Sequence, residues 1–273
     1  MRLVGIAEGC DVLVAALDGD HATPLAEVRD FWADPQRHLS RPTGDPRPVE
    51  AITLAPPIPP SARVLCLGLN YRDHATEGDY GVPDHPTIFG RWTASLSVDG
   101  VPVPVPADEP GLDWEGEVAA VVGAPLQEAT AAQAQDGVLG YAVFNDLSAR
   151  RAQKLTAQWT LGKNADRSGP MGPIVTADEV GPLTDGLRLT TRVNGHVVQE
   201  GDTEDLMFGV GETLALVSRT MTLHPGDVLV TGTPAGVGYA RTPPWLLGPG
   251  DVVEVEAERL GVLRTPIVGA DRR

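Results

Sequence analysis

Two glutamates, Glu115 and Glu117, stand one residue apart at the head of GLDWEGEVAAVV. In a strand, residues at i and i+2 point to the same face. Like charges that close raise each other's pKa and cost stability unless something positive lies between them. An isolated E-x-E is commonly a solvated edge. Here the strand runs on as VAAVV, apolar on both faces, which implies burial. Buried acids need pairing or a cation. A third acid, Asp146, ends the apolar run of VLGYAVFNDLSAR. It could serve only as a turn or helix-cap aspartate. As a third ligand it would complete an all-oxygen set that suits Mg²⁺, Mn²⁺ or Ca²⁺ rather than Zn²⁺. Three carboxylates around a divalent ion leave one negative charge. Lys163, in TLGKNAD, is a candidate to balance it, although alone it reads as a surface lysine.

A second constellation is His74 and Glu77 in GLNYRDHATEGDY, three residues apart and adjacent on a helical turn. A carboxylate beside an imidazole fixes its tautomer and raises its basicity, as a general base requires. The same spacing on an exposed turn is an ordinary solvated pair. The glycine-rich VTGTPAGVGYA lacks a GK[ST] ending and no helical pattern follows, so it is no phosphate loop. Its backbone N–H groups could approach a substrate carboxylate, or the segment could be a plain turn.

These residues need a frame. Short apolar runs recur from Arg63 onward (VLCLGL, GEVAAVVG, VLGYAVF, LRLTTRV, VLVTGTP, VVEVEA), punctuated by Gly, Pro and Asp. With 25 prolines and 31 glycines so distributed, the pattern predicts a mainly β, α+β fold. Helices are expected in ATAAQAQDGV and EDLMFGVGETLALVSR. Residues 1–17 predict two short strands around a turn at Glu8-Gly9, followed by a helix with Leu25, Val28 and Phe31 on one face. The Pro-rich stretch 41–60 reads as a linker, giving a small N-terminal α/β domain over 1–58 and a larger domain over 59–273.

The chain has 273 residues and a formal net charge of −16. Such acidity, without any Lys/Arg run, argues against nucleic acid as a partner. No apolar segment approaches the roughly 20 residues of a membrane span. Two cysteines, Cys10 and Cys66, fit a reduced, cytoplasmic protein, with Cys66 a small core residue.

Taken in order, GLNYRDHATE, DWEGEVAAVVG, GYAVFNDLSAR, LGKNAD…GPMGP, VNGHVVQEGDTEDLMF, MTLHPGDVLVTGTPAGVG and LGPGDVVEVEAERLGVL resemble the fumarylacetoacetate hydrolase family over about residues 60–265. The resemblance implies a mixed β-sandwich roll in a homodimer. It implies Mg²⁺ or Mn²⁺ acting on a small 2-oxo acid. Under it, Glu115, Glu117 and Asp146 resemble the metal ligands. Lys163 falls near metal and substrate, His74 and Glu77 match a water-activating dyad on a lid, and Gln199 and Thr233 match positions near the substrate. The chain departs from the family at IFGRWTASLSVDG, where Arg91 and Trp92 replace the usual pattern. Arg91 is then expected to meet a substrate carboxylate, with Trp92 adding bulk or a stacking surface.

A 2-oxo acid chelated by such an ion can place electrons on its carbonyl oxygen as an enolate. Hydrolysis of a C–C bond, decarboxylation and isomerisation all share that species. The dyad favours hydrolysis of an acylpyruvate-type substrate. A decarboxylase or isomerase of oxaloacetate or 2-hydroxyhepta-2,4-diene-1,7-dioate type is the alternative, and a binding protein with a degenerate site is a third reading.

Overall fold

The computed structural model describes residues 1–72 and 84–270. Among these, the strands form a sheet of thirteen and a sheet of five. Most pairings are antiparallel, but Val228–Val230 runs parallel to Val64–Gly68, so the larger sheet is mixed. The expected mainly β, α+β architecture is what the chain adopts.

The strand Gly116–Val122 lies inside the larger sheet, between Val138–Asn145 and Val228–Val230. All seven of its residues are buried. Alternation divides them. Val118, Ala120 and Val122 join a core with Leu189, Val193, Val253 and Val255 of the five-stranded sheet. Ala119 and Val121 face Leu3, Phe31, Phe144 and Cys66. Two cores, one on each face, explain why the sequence shows an unbroken apolar run rather than an alternating one.

The N-terminal strands Arg2–Glu8, Asp11–Asp18 and His21–Glu27 extend the larger sheet, with Arg2–Glu8 pairing to Ile174–Thr176. The turn falls at Gly9-Cys10. Leu25 lies on the third strand rather than on a helix; the helix begins later, at Val28–Ala33, and buries Val28, Phe31 and Trp32. Pairing with Asp11–Asp18 continues to Glu27, and Leu25 sits within it at a β-bulge, between Pro24 opposite Ala15 and Ala26 opposite Val14. The Pro-rich stretch contains a short strand, Leu54–Ala55, paired with Gly5 and Ile6. The two other expected helices form at Ala131–Asp136 and Val210–Ser218. No described helix is long and apolar enough to cross a membrane.

Candidate functional site

Register assembles the acids. Gly116 pairs with Asn145 and Glu117 with Phe144, so the next positions out, Glu115 and Asp146, lie opposite each other, joined by Asp146 N–H to the Glu115 carbonyl at 2.9 Å. One carboxylate oxygen from each of Glu115, Glu117 and Asp146 lies within 4.8 Å of the others, and all three residues are buried. The structure brings these three acids, at the ends of two paired strands, to one place.

Gly116 is the hinge between the two glutamates. A Cβ there would collide with Thr191 Oγ1 of the facing sheet, so only glycine lets the strand lie that close. Its N–H donates to Gln199 Oε1 at 3.0 Å, and its carbonyl accepts from Thr233 Oγ1 at 2.9 Å. Gln199 Nε2 in turn donates to Thr233 Oγ1 and to the Pro234 carbonyl, each at 2.9 Å. Gln199 is therefore spent on the backbone beneath the glutamates and on the 233–234 turn. Thr233 also lines the adjoining cavity.

Three backbone amides of the glycine-rich segment meet the chain's own acids. Gly232 N–H donates to Glu117 Oε2 at 2.6 Å. Gly238 N–H and Tyr239 N–H donate to Asp113 at 2.7 and 3.1 Å. The anions these amides serve are the chain's own carboxylates. Gly232 adopts φ +92°, and a Cβ would approach that of Asn70 to 2.9 Å, so this turn requires glycine.

Three cations balance the acids. Lys163 is buried, not superficial, and its Nζ donates to Glu115 Oε2 and Asp146 Oδ2, each at 2.6 Å. The turn Thr160–Lys163 delivers it; Gly162 packs against Gln153, where a Cβ would clash, and its carbonyl accepts from Ala149 N–H. Arg150 pairs with Asp113 Oδ2 at 2.7 Å and Glu115 Oε1 at 2.6 Å. Arg91 pairs with Asp146 Oδ1 and also donates to Ser168 Oγ and the Leu147 carbonyl. The structure sets Arg91, which the sequence offered for a substrate carboxylate, against the chain's own Asp146. Its side chain is fully buried behind Asp146 and does not line the cavity. Trp92 also lies away from the cavity, 61% exposed. His74 and Glu77 fall outside the described residues.

Burial pushes the Glu117 carboxyl well above its usual range, and Asp146 and Glu115 add to the shift. Burial raises Asp113 as well, against the pull of Arg150. For Lys163 burial acts downward, but the Asp146 and Glu115 carboxylates outweigh it and the net shift is upward. Lys163 is therefore an ammonium. Four carboxylates face three side-chain cations, and Glu117 Oε1 takes no hydrogen bond from the described residues. A compact set of hard oxygen donors with one uncompensated charge fits a divalent ion.

Above the cluster lies a cavity of about 380 Å³. Glu115, Lys163 and Arg150 line it together with Leu67, Phe89, Trp159 and Val237, and Lys163 Nζ lies 5.1 Å from the centroid of the Phe89 ring. Phe89 and Trp159 meet edge to face at 5.3 Å. Asp113, Arg150, Trp159 and Tyr239 are participants that sequence reasoning passed over. Asp113 had one legible signal, since it precedes Glu115 by two residues and so shares its face.

Fold and cluster together define a mainly β protein with a buried acidic centre suited to a divalent cation at the floor of an amphiphilic cavity. Residues 63–268 match the family model for the fumarylacetoacetate (FAA) hydrolase C-terminal domain, and the chain belongs to that family. It is 38% identical to oxaloacetate tautomerase fahd2, mitochondrial, of Xenopus laevis, over 80% of this chain and 69% of that protein. It is 37% identical to oxaloacetate tautomerase YisK of Bacillus subtilis (strain 168), over 79% of this chain and 73% of that one. Among solved structures, 5-carboxymethyl-2-hydroxymuconate delta-isomerase from Mycobacterium smegmatis superposes with a TM-score of 0.81 at 33% identity, with 100% of each chain covered.

Proposed function

We propose that the protein is a divalent-metal-dependent tautomerase or isomerase of a small 2-oxo acid. The observation that carries this reading is the buried Glu115–Glu117–Asp146 cluster, in which the Lys163 ammonium bridges Glu115 and Asp146, reaching through Glu115 and Lys163 a cavity lined by both polar and apolar side chains. The isomerase-type alternative has better support than C–C hydrolysis. The Xenopus and Bacillus relatives are named oxaloacetate tautomerases, and the Mycobacterium structure is named a delta-isomerase.

Tautomerisation asks less of a site than hydrolysis does. A proton leaves the carbon beside the 2-oxo group and one arrives at the oxygen, with no carbon–carbon bond broken and no water consumed. Glu115, Glu117 and Asp146 would hold the ion, which would supply Lewis-acid polarisation of the 2-oxo carbonyl. Lys163 Nζ, at the cavity as an ammonium, would give its proton to the substrate oxygen and, as the resulting amine, take up the proton that leaves the carbon, so that it ends as it began. Arg91 pairs with Asp146 and Arg150 with Glu115, which fixes the orientation of both carboxylates. Phe89 and Trp159 exclude water where they line the cavity.

The test is oxaloacetate keto–enol interconversion, read as ultraviolet loss of the enol band with Mg²⁺ or Mn²⁺ and again after chelation. Lys163→Met is expected to lower the rate by about 100-fold or more, the scale of a lost acid–base group. Cleavage of an acylpyruvate to pyruvate, with oxaloacetate enol decaying at its uncatalysed rate, would replace this reading with the hydrolase one. The H-x-x-E spacing of His74 and Glu77 is the feature that favours that second reading.

A further inference from the structure

Among the described residues, three cations line the cavity: Arg150, Lys154 and Lys163. Two are already engaged, Lys163 by Glu115 and Asp146, and Arg150 by Asp113 and Glu115. Lys154 has no ion pair among the described residues. It is nonetheless placed, because its Nζ sits 3.7 Å from the centroid of the Tyr239 ring. The backbone N–H of Tyr239 is held by Asp113, so the ring hangs from the same carboxylate that orients Arg150.

Charge decides what Lys154 can do. Asp113, Glu115, Glu117 and Asp146 exceed Arg91, Arg150 and Lys163 by one negative charge. A divalent ion would turn this into one positive charge, which the carboxylate of a 2-oxo acid satisfies. A second carboxylate on the same substrate would find no balance in the cluster. Among the described residues Lys154 is the remaining cation on the cavity wall, and Phe89, Trp159 and Val237 offer apolar surface for the carbons between. Lys154 is exposed, and the Tyr239 ring face 3.7 Å from its Nζ holds the ammonium at the cavity edge.

We propose that Lys154, seated against Tyr239, receives a distal carboxylate, so that the cavity selects 2-oxo dioates over 2-oxo monoacids of equal length. This rests on the 2-oxo acid reading above and names the residue that sets specificity within it.

Calorimetric binding of 2-oxoadipate and 2-oxohexanoate in Mg²⁺ tests it. These acids differ only in the distal carboxylate. The wild-type protein is expected to prefer the dioate by about fivefold, the upper end for a partly exposed ion pair. Lys154→Met is expected to bring the ratio close to one, and Lys154→Arg to keep most of it. A wild-type ratio near one, binding of neither acid, or a ratio unchanged in Lys154→Met overturns the assignment. Because the readout is affinity, it stands apart from the tautomerase assay. The expected ratios without oxaloacetate turnover would uphold Lys154 and discard the proposed reaction.

Discussion

The residue on which the centre turns carries no side chain. Gly116 separates two glutamates whose carboxylates must converge, and it lies where a methyl group would strike Thr191 Oγ1. Gly116→Ala is therefore expected to destabilise the fold by about 1–3 kcal/mol through overpacking. Removing the obstacle should restore it. Gly116→Ala in a Thr191→Ala background is expected to recover most of the lost stability, measured by urea unfolding. Simple additivity of the two substitutions would show that the clash is not the cause. Thr191 Oγ1 is buried and without a hydrogen-bond partner, so the background change itself leaves nothing else unpaired.

At the scale of elements, the centre stands where two sheets and one turn meet. The pairing of Gly116–Val122 with Val138–Asn145 brings Asp146 opposite Glu115. Gln199, on the strand His196–Asp202 of the other sheet, then ties the Gly116 N–H to the 233–234 turn. Gln199→Ala is expected to cost about 1–3 kcal/mol, since it leaves a buried N–H and a buried carbonyl without partners. Metal affinity, read by titration calorimetry, should weaken with it, because the Gly116 backbone sets the spacing of the two glutamates. Unchanged affinity would mean that strand pairing alone holds them.

The molecule as a whole carries an unbalanced buried acid, and stability should report it. A carboxyl raised above its unfolded value, as Glu117 is above 4.5, binds its proton more tightly in the folded chain. The metal-free protein then loses stability as pH rises from about 4.5 toward the folded value, and the loss persists above it. Lys163 acts in the opposite sense. Its raised pKa adds stability that is intact below its ordinary value of 10.5 and is lost only as pH climbs through the higher folded value. Between pH 5 and 8 the carboxyl governs. A divalent ion held by these acids, as proposed, would take the place of the proton, so the rise in Tm on adding Mg²⁺ or Mn²⁺ is expected to be larger at pH 8 than at pH 5. A rise independent of pH would place the ion elsewhere.

Much of this was open to reading along the chain. Glu115, Glu117 and Asp146 announce themselves because local pattern governs them: period two, an apolar run, and acids where a run begins or ends. The same local rules gave the mainly β fold and the helices near 131–136 and 210–218. Other features depend on distant partners, which no window of sequence contains. Gln199 meets Gly116 across 83 residues, and Arg91 meets Asp146 across 55. Tertiary contact turned Arg91 inward to a carboxylate and left Trp92 in solvent. It buried Lys163, spent the glycine-rich amides on Glu117 and Asp113, and put Leu25 on a strand. The sequence by itself determined which side chains have the chemistry for a cation and a keto acid. Only the folded structure decided which charges face each other, because electrostatic pairing depends on distance in space, and the packing of the two sheets sets that distance.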